Sequence, residues 1–234
     1  MKILAISDLH GRTIWKEAEF NAYDQVVFLG DFVDSHVVDD ETIYNNLFEI
    51  IQSKRRQPDK FILLVGNHDA QYIHFPHYRC SGFRAWAQPA LSDLFKQHES
   101  LFDVAYQHGA YLFTHAGVTN KWLRQLLIKT GHGSIAITPA YNLAGLLNDV
   151  HRQPLAFRNL LFEVGPKRGG YDAFSGPIWA DRSETKIDYL IGFQQVVGHT
   201  PVSEFITLKG EFGSITYTDV LQTKTAFYEL IIPD

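Results

Sequence analysis

Apolar runs of strand length recur along the whole chain and predict a protein rich in β-strands. Their positions are 2–7, 25–30, 61–66, 102–107, 110–114, 193–198, 204–208, 214–219 and 225–232. The last three runs alternate between apolar and polar residues, which is typical of an antiparallel sheet with one buried face. His108-Gly109 separates two of the runs and predicts a hairpin turn between them.

Helical periodicity occurs between the early strands. In residues 40–56, isoleucine and leucine recur at helical spacing, with acidic residues at the start and basic residues at the end, an order that suits the helix dipole. Residues 83–97 and 119–129 predict two further helices. Strand and helix thus alternate in the first half, which predicts parallel βαβ units, whereas the second half is richer in strands.

Residues 131–185 form the least regular part of the sequence. Glycines and prolines interrupt this stretch, and a segment of such length without firm periodicity is often a functional loop. We expect a single domain over residues 1–234 in which this irregular region shapes the substrate pocket.

The composition limits the class of protein. A chain of 234 residues with 45% hydrophobic residues can bury a sizeable core. The net charge is −5 without a long run of one sign, so a dedicated nucleic-acid surface is not expected. Cys80 is the only cysteine, which favours a reducing compartment. Neither a signal peptide nor a run of membrane-spanning length is evident, and we expect a cytoplasmic protein without a membrane partner.

Five of the apolar runs end in side chains that bind metals or carry protons. They are followed by Asp8-Leu9-His10, Asp31-Phe32-Val33-Asp34, Asn67-His68-Asp69, His115 and His199. Each piece alone is more typical of a turn, a helix cap or a hydrogen-bonded histidine. Together they predict one site, because the carboxyl ends of parallel strands meet at the same edge of a sheet.

The residue types at these strand ends indicate metal chemistry. Carboxylates, imidazoles and an asparagine oxygen make mixed nitrogen and oxygen sites for Mn, Fe or Zn, without the thiolates of structural zinc sites. An unpaired carboxylate is costly to bury. We therefore expect Asp31, which follows a buried strand, to bridge two metals about 3.5–4 Å apart, and Asp34 to pair with a histidine.

The five strand-end motifs resemble those of the calcineurin-like metallophosphoesterases and occur in the same order. They are SDLHG (7–11), GDFVD (30–34), GNHD (66–69), THAG (114–117) and GHTP (198–201). The branch that they resemble most holds the serine/threonine phosphoprotein phosphatases and the bacterial symmetrical diadenosine tetraphosphatases. The resemblance implies an α/β fold, a four-layer αββα sandwich of two mixed β-sheets flanked by helices, with the metal site at the carboxyl ends of the strands.

The same resemblance implies a role for each matched residue. The implied metal ligands are Asp8, His10, Asp31, Asn67, His115 and His199. The first three would hold one metal, and Asp31 with the last three would hold the other. His68 would be the general acid, oriented by Asp34. The expected cofactors are two divalent ions, Mn²⁺ first with Fe or Zn as alternatives, and a hydroxide bridging them would attack phosphorus.

Departures from the family pattern limit the class of substrate that is expected. In phosphoprotein phosphatases an arginine that holds the substrate phosphate follows the GDFVD-like motif, but Ser35 stands there in this sequence. Pro201 replaces the second histidine of the Gly-His-x-His motif of many phosphodiesterase relatives. Arg182, in a segment similar to an arginine-bearing segment of the phosphatases, and Arg12, beside the first motif, are candidates for binding the phosphate. A plain surface role stays open for both.

We expect a dinuclear phosphoesterase whose partner is a phosphate ester, most simply a phosphatase acting on the phosphomonoester of a phosphoprotein or small phosphometabolite. A hydrolase of dinucleoside polyphosphates is the alternative, favoured by the missing arginine. A phosphodiesterase or nuclease is a third reading, which Pro201 and the acidic balance weaken. A non-catalytic module that kept the fold would be expected to have lost ligands, and the oligomeric state is not indicated.

Overall fold

A computed structural model describes residues 1–133 and 135–233, which form two five-stranded sheets and seven α-helices. The strands are β1 (Lys2–Ile6), β2 (Gln25–Phe28), β3 (Phe61–Leu64), β4 (Phe102–Asp103), β5 (Ala105–His108), β6 (Tyr111–Thr114), β7 (Gln194–Val197), β8 (Ile206–Gly210), β9 (Gly213–Tyr217) and β10 (Tyr228–Ile231). The helices are α1 (Asp40–Arg56), α2 (Asn67–Ile73), α3 (Gln88–Gln97), α4 (Asn120–Lys129), α5 (Leu143–His151), α6 (Leu155–Arg158) and α7 (Arg182–Asp188).

Both sheets are mixed, which confirms the predicted α/β class. The first has the order β10-β1-β2-β3-β4, in which β1 to β4 are parallel and β10 is antiparallel to β1. The second has the order β5-β6-β7-β9-β8, in which β6, β7 and β9 are parallel and the two edge strands are antiparallel. The carboxyl ends of β1, β2 and β3 therefore share one edge of their sheet, and those of β6, β7 and β9 share one edge of the other.

Alternate residues of the first sheet face two different buried clusters. Ile3 and Val27 belong to a cluster that also contains Phe113 and Val196 of the second sheet, so the two sheets pack against each other there. Their neighbours along β1 and β2 face the opposite way, into a cluster with the apolar side of α1. This alternation is the period of two expected for strands buried on both faces, and it fits the predicted αββα order.

The run at 102–107 was predicted as one strand, and this is wrong. It divides at the buried Val104, with β4 in the first sheet and β5 in the second. The side chain of Asn148 on α5 supports the crossing, because its Oδ1 accepts hydrogen bonds from the backbone N–H groups of Val104 at 3.0 Å and Ala105 at 3.1 Å. The backbone N–H groups at the crossing between the two sheets are thus hydrogen-bonded by a side chain.

The tail also differs from its prediction. Only part of it is antiparallel, because β9 pairs in parallel with β7 as well as antiparallel with β8. An amphipathic run gives no sign of the direction of its neighbour, so the sequence could not distinguish the two.

The irregular region is more helical than its glycine content indicates. Residues 131–185 contain α5 and α6 and the start of α7. By contrast α1 begins and ends at the predicted residues, since the Asp39 side chain accepts a hydrogen bond from Thr42 N at 2.9 Å and caps its first turn.

Of the helices that the structure describes, none has the length and apolar character needed to cross a lipid bilayer.

Candidate metal centre

The loops that follow β1, β2 and β7 are joined by hydrogen bonds near the predicted ligands. His10 N donates to Asp31 O at 2.9 Å, which links the first two loops. His199 N donates to both carboxylate oxygens of Asp8, at 3.0 and 3.1 Å, and this bond links the two sheets. The strand ends that the sequence placed at one edge therefore do converge.

The backbone is strained at these residues. Among the described residues, six that are not glycine have positive φ, and five of these belong to the strand-end motifs: Asp8, His10, Asp31, Asp34 and His199, with φ between 46° and 65°. Such a conformation is uncommon for residues with a Cβ and costs of order 1 kcal/mol or more each. It persists here because the loops hold one another, and it aims the side chains of neighbouring loops at a common point.

Two glycines permit the close approach of these loops. A Cβ at Gly66 would overlap the carboxylate of Asp31, and one at Gly198 would overlap the carboxylate of Asp8. Neither glycine has positive φ. Their role is therefore to leave room for the two carboxylates.

His115 lies at the centre of one group of ligand atoms. Its Nδ1 is 2.8 Å from the carbonyl oxygen of Leu29 and must carry the hydrogen, which leaves a lone pair on Nε2. That Nε2 lies 3.1 Å from Asn67 Oδ1, 3.1 Å from His199 Nδ1 and 3.5 Å from Asp31 Oδ2. At most one hydrogen, on His199, is available for these facing acceptors. Such a set of facing acceptors could hold a cation.

The spacing within this group fits a metal ion. Four ligand atoms at about 2.1 Å from one ion stand roughly 3.4 Å apart when tetrahedral, which matches the separations of 3.1 and 3.5 Å around His115 Nε2. Burial lowers the pKa of His115 and, together with the charges of His115 and Arg168, lowers that of His199 well below the usual value. Both imidazoles are therefore neutral, which is the form that binds metals.

A second group shares Asp31 with the first. Its ligand atoms come from Asp8, His10 and Asp31 and lie within 4.8 Å of one another. His10 Nδ1 faces the carbonyl oxygens of Val33 at 3.0 Å and Asp34 at 2.9 Å, so its Nε2 keeps a lone pair. The same Oδ2 of Asp31 lies 3.7 Å from that Nε2 and 3.5 Å from His115 Nε2. Asp31 thus stands between the two groups, as a bridging carboxylate would.

His68 and Asp34 form a hydrogen-bonded pair beside the second group. His68 Nδ1 donates to Asp34 Oδ2 at 2.9 Å. Asp34 also accepts hydrogen bonds from the side chains of Gln71 and Tyr72, which fix its position. Burial lowers the pKa of His68, but the charge of Asp31 and the bond to Asp34 outweigh burial and raise this pKa to about 12. The ring is therefore protonated and can donate a proton from Nε2.

A cavity of about 430 Å³ adjoins this pair, and its lining includes His10, Arg12 and His68. Arg12 is held there by its own turn, since its guanidinium donates to Leu9 O at 3.1 Å. The structure does not bring Arg182 to this cavity. Its guanidinium lies over the ring of Tyr217, 5.3 Å from the centroid, where the ring replaces an anion as its partner.

Arg168 lies nearer to the centre than its sequence context indicated. Lys167 and Arg168 belong to the irregular region 131–185. Arg168 Nη2 donates to Thr200 Oγ1 at 2.6 Å, and its Nε lies 2.9 Å from Asp181 Oδ2. Arg168 therefore ties residues 166–170 to the loop of His199. No sequence signal pointed to this contact.

Asp69, the residue after His68, supports the loops around the candidate ligands. Its carboxylate accepts hydrogen bonds from the backbone N–H groups of Asp31 at 2.7 Å, Phe32 at 2.9 Å and Gly66 at 2.9 Å. Burial and the charge of Asp31 raise its pKa to about 7. Asp69 thereby fixes the loop of the shared ligand. Its place at the third position of α2, where acidic residues cap helices, was the available signal.

Comparisons with known proteins identify the family. The calcineurin-like phosphoesterase profile matches residues 1–205, and none of the curated protein sequences matches the chain. A cold-active protein-tyrosine phosphatase of a psychrophile Shewanella sp. is 18% identical with a TM-score of 0.53, over 94% of this chain and 71% of that one. A protein serine/threonine phosphatase from Saccharomyces cerevisiae, with similarity to human phosphatase PP5, is 17% identical with a TM-score of 0.51, over 93% and 67%.

At these identities the two structures show a shared fold alone. The family profile carries more, because it spans most of the chain and includes every strand-end motif. The two groups of candidate ligand atoms lie within it. The chain therefore belongs to the calcineurin-like phosphoesterases, a family of metal-dependent phosphoester hydrolases.

Proposed function

We propose that the protein is a phosphatase that hydrolyses phosphomonoesters with the help of two divalent cations, Mn²⁺ being the first choice. The observation that carries this proposal is the pair of ligand groups that share Asp31 beside a cavity lined by His68, whose Nδ1 is hydrogen-bonded to Asp34. A purely structural metal site would need neither the cavity nor the acid.

The ligands divide between two positions. Asp8, His10 and Asp31 would hold the first cation, and Asp31 with Asn67, His115 and His199 the second. When bound there, two cations would neutralise the buried carboxylates, lower the pKa of a water molecule for attack on phosphorus and stabilise the charge that develops. The residues fit oxygen- and nitrogen-binding ions such as Mn²⁺, Fe or Zn²⁺.

His68 is the group placed to protonate the leaving oxygen. Its Nδ1 is held by Asp34, so its Nε2–H is the free donor, and the ring lines the cavity. An acid positioned in this way contributes typically 10²–10⁴-fold to the rate. Asp34 is itself fixed by Gln71 and Tyr72 and keeps the ring in one orientation.

Arg12 is the proposed contact for the substrate phosphate. Ser35 stands where phosphoprotein phosphatases carry an arginine, and Arg12 lines the same cavity as Ser35 and His68. A guanidinium can donate to two phosphate oxygens at once. Arg12, in the loop after β1, can thus supply the positive charge that phosphoprotein phosphatases carry on the arginine after their GDFVD-like motif.

The test is hydrolysis by protein freed of metal and reloaded with Mn²⁺, measured in parallel on p-nitrophenyl phosphate and diadenosine tetraphosphate. We expect turnover of the monoester that EDTA abolishes and that added Mn²⁺ restores. Preferential cleavage of the dinucleotide would replace the proposal with a dinucleoside polyphosphate hydrolase. Binding of two metals without turnover of either substrate would contradict both.

A further inference from the structure

Asp219 occupies a position at the carboxyl edge equivalent to that of His199. The strands β7 and β9 are parallel neighbours, and their register pairs Val197 with Tyr217. His199 and Asp219 each lie two residues beyond that pair. Neighbouring strands are about 4.8 Å apart, and Val202 N donates to Asp219 O at 2.8 Å. Asp219 is therefore fastened beside the loop that carries a candidate ligand.

The carboxylate of Asp219 is buried, and one of its oxygens lacks a donor within the part of the chain that the structure describes. The residue is 2% exposed, and among the described residues its Oδ1 has no hydrogen-bond partner. The neighbouring loop of His199 is bonded to Asp8, because His199 N donates to both oxygens of the Asp8 carboxylate at 3.0 and 3.1 Å. Burial and the charge of Asp31 raise the pKa of Asp219 to about 7, although the charge of Arg12 opposes this. Three buried carboxylates thus lie close enough to repel one another.

Uncompensated burial of this kind is costly unless the site is built for a cation. The centre described above supplies the reason, because two divalent ions carry four positive charges against the three carboxylates. Asp219 is not in either group of ligand atoms that lie within 4.8 Å of one another. Its effect on a cation would therefore act through space or through water, not through a direct bond.

We propose that Asp219 is a positioning carboxylate of the metal centre, which strengthens binding of the cation that Asp8, His10 and Asp31 would hold. This inference rests on the proposed function. It has an unusual signature, since the same charge destabilises the metal-free protein and stabilises the metal-bound one. A residue with only a structural role would stabilise both forms.

The experiment compares the wild type with Asp219→Asn, which keeps the shape of the side chain and removes its charge. Isothermal titration of metal-free protein with Mn²⁺ gives the affinity, and thermal unfolding in EDTA gives the stability of the metal-free form. We expect the affinity for one of the two ions to fall about 10–100-fold while the Tm in EDTA rises. Asp149→Asn is the matched control, because its side chain is 77% exposed, and it should change neither quantity.

The outcomes separate this inference from the proposed function. Unchanged Mn²⁺ affinity in Asp219→Asn, or a lower Tm in EDTA, would overturn the inference while leaving the proposed function intact. Wild-type protein that bound no Mn²⁺ would overturn the proposed function and the inference with it. Asp219→Ser also removes the charge and should behave alike, so that misfolding of one variant does not decide the result.

Discussion

Two pairs of buried histidines in this protein have nearly the same geometry and opposite chemistry. In the metal centre, His115 Nε2 lies 3.1 Å from His199 Nδ1, with ring centroids 4.9 Å apart. At the far end of α2, His74 Nε2 lies 2.9 Å from His151 Nε2, with centroids 5.1 Å apart. Distance alone does not tell the two pairs apart.

The difference lies in the partners of the other ring nitrogens. Arg158 Nη1 lies 3.0 Å from His74 Nδ1, and because arginine can only donate, that nitrogen accepts. His74 Nε2 then carries the hydrogen and donates it to His151. Burial, with the charge of Arg158 among the further causes, lowers the pKa of His74 to about 2 and that of His151 to about 4. The contact between His74 and His151 is therefore a hydrogen bond between two neutral rings, and it needs no cation.

The pair in the candidate metal centre is surrounded by further acceptors. His115 Nε2 is an acceptor that faces the oxygens of Asn67 and Asp31 as well as His199. The sequence shows the same contrast only indirectly, because His115 and His199 follow strands, whereas His74 follows a helix and His151 ends one. A histidine contact therefore indicates a metal only when the surrounding atoms lack hydrogens to share.

The largest expected effect is loss of one histidine from the metal centre. His115→Ala should lower kcat/KM at least about a thousandfold, since metal catalysis contributes several kcal/mol. The comparison variant is His151→Ala, assayed at a temperature where it stays folded, and its kcat/KM should remain within about threefold of the wild type. Equal losses of activity in both variants would erase the distinction between the two pairs.

The next effect concerns the acid. His68→Asn should lower kcat about 10²–10⁴-fold on an alkyl phosphate, whose leaving group needs a proton. The loss on p-nitrophenyl phosphate should be much smaller, because p-nitrophenolate leaves without one. Similar losses on both substrates would show that His68 acts in some other way.

A smaller effect is expected from the arginine in the cavity. Arg12→Ala should weaken the transition-state contact to phosphate by about 1.5–3 kcal/mol, the usual worth of a hydrogen bond to a charged group. Kinetics on p-nitrophenyl phosphate would measure this as a roughly 10–100-fold loss of kcat/KM. Arg182→Ala, which removes the guanidinium over Tyr217, is the control and should leave kcat/KM nearly unchanged. A larger loss of kcat/KM in Arg182→Ala than in Arg12→Ala would instead favour Arg182 as the residue that binds the phosphate.

The smallest effect is the pH dependence of the neutral pair. The pKa of His151 is lowered in the folded protein to about 4, so between roughly pH 6.5 and 4 the unfolded chain binds more protons. Stability is therefore lost as pH falls through this window, by about 2 kcal/mol per histidine between pH 6.5 and 5. Urea unfolding in EDTA should show a weaker pH dependence for His151→Asn than for the wild type. His77→Asn, at an exposed position, should match the wild type.

Much of the fold followed from local patterns. The bounds of α1 and the starts of β1, β2 and β3 were predicted because capping, periodicity and apolar runs are local signals. The break at Val104 depends on Asn148, which is distant in sequence, and the direction of β9 depends on which strand lies beside it. The single domain and the cytoplasmic location stay predictions.

At the candidate site, the sequence predicted the residues that could bind metal. It did not predict the residues that hold those ligands in position. The ligands of the two groups in the structure come from the predicted set, since each follows a strand. Asp69, Arg168 and Asp219 were missed because their partners are backbone groups, another loop or neighbouring charges. Contacts of that kind leave little trace in a single sequence.

The most direct test of the central claim is the number of metal ions bound. Protein freed of metal would be dialysed against Mn²⁺ and its metal content measured for the wild type, His115→Ala and His151→Ala. We predict two equivalents for the wild type and for His151→Ala, and close to one for His115→Ala. Fewer than two ions in the wild type, or the same loss in both variants, would contradict the assignment of the metal centre.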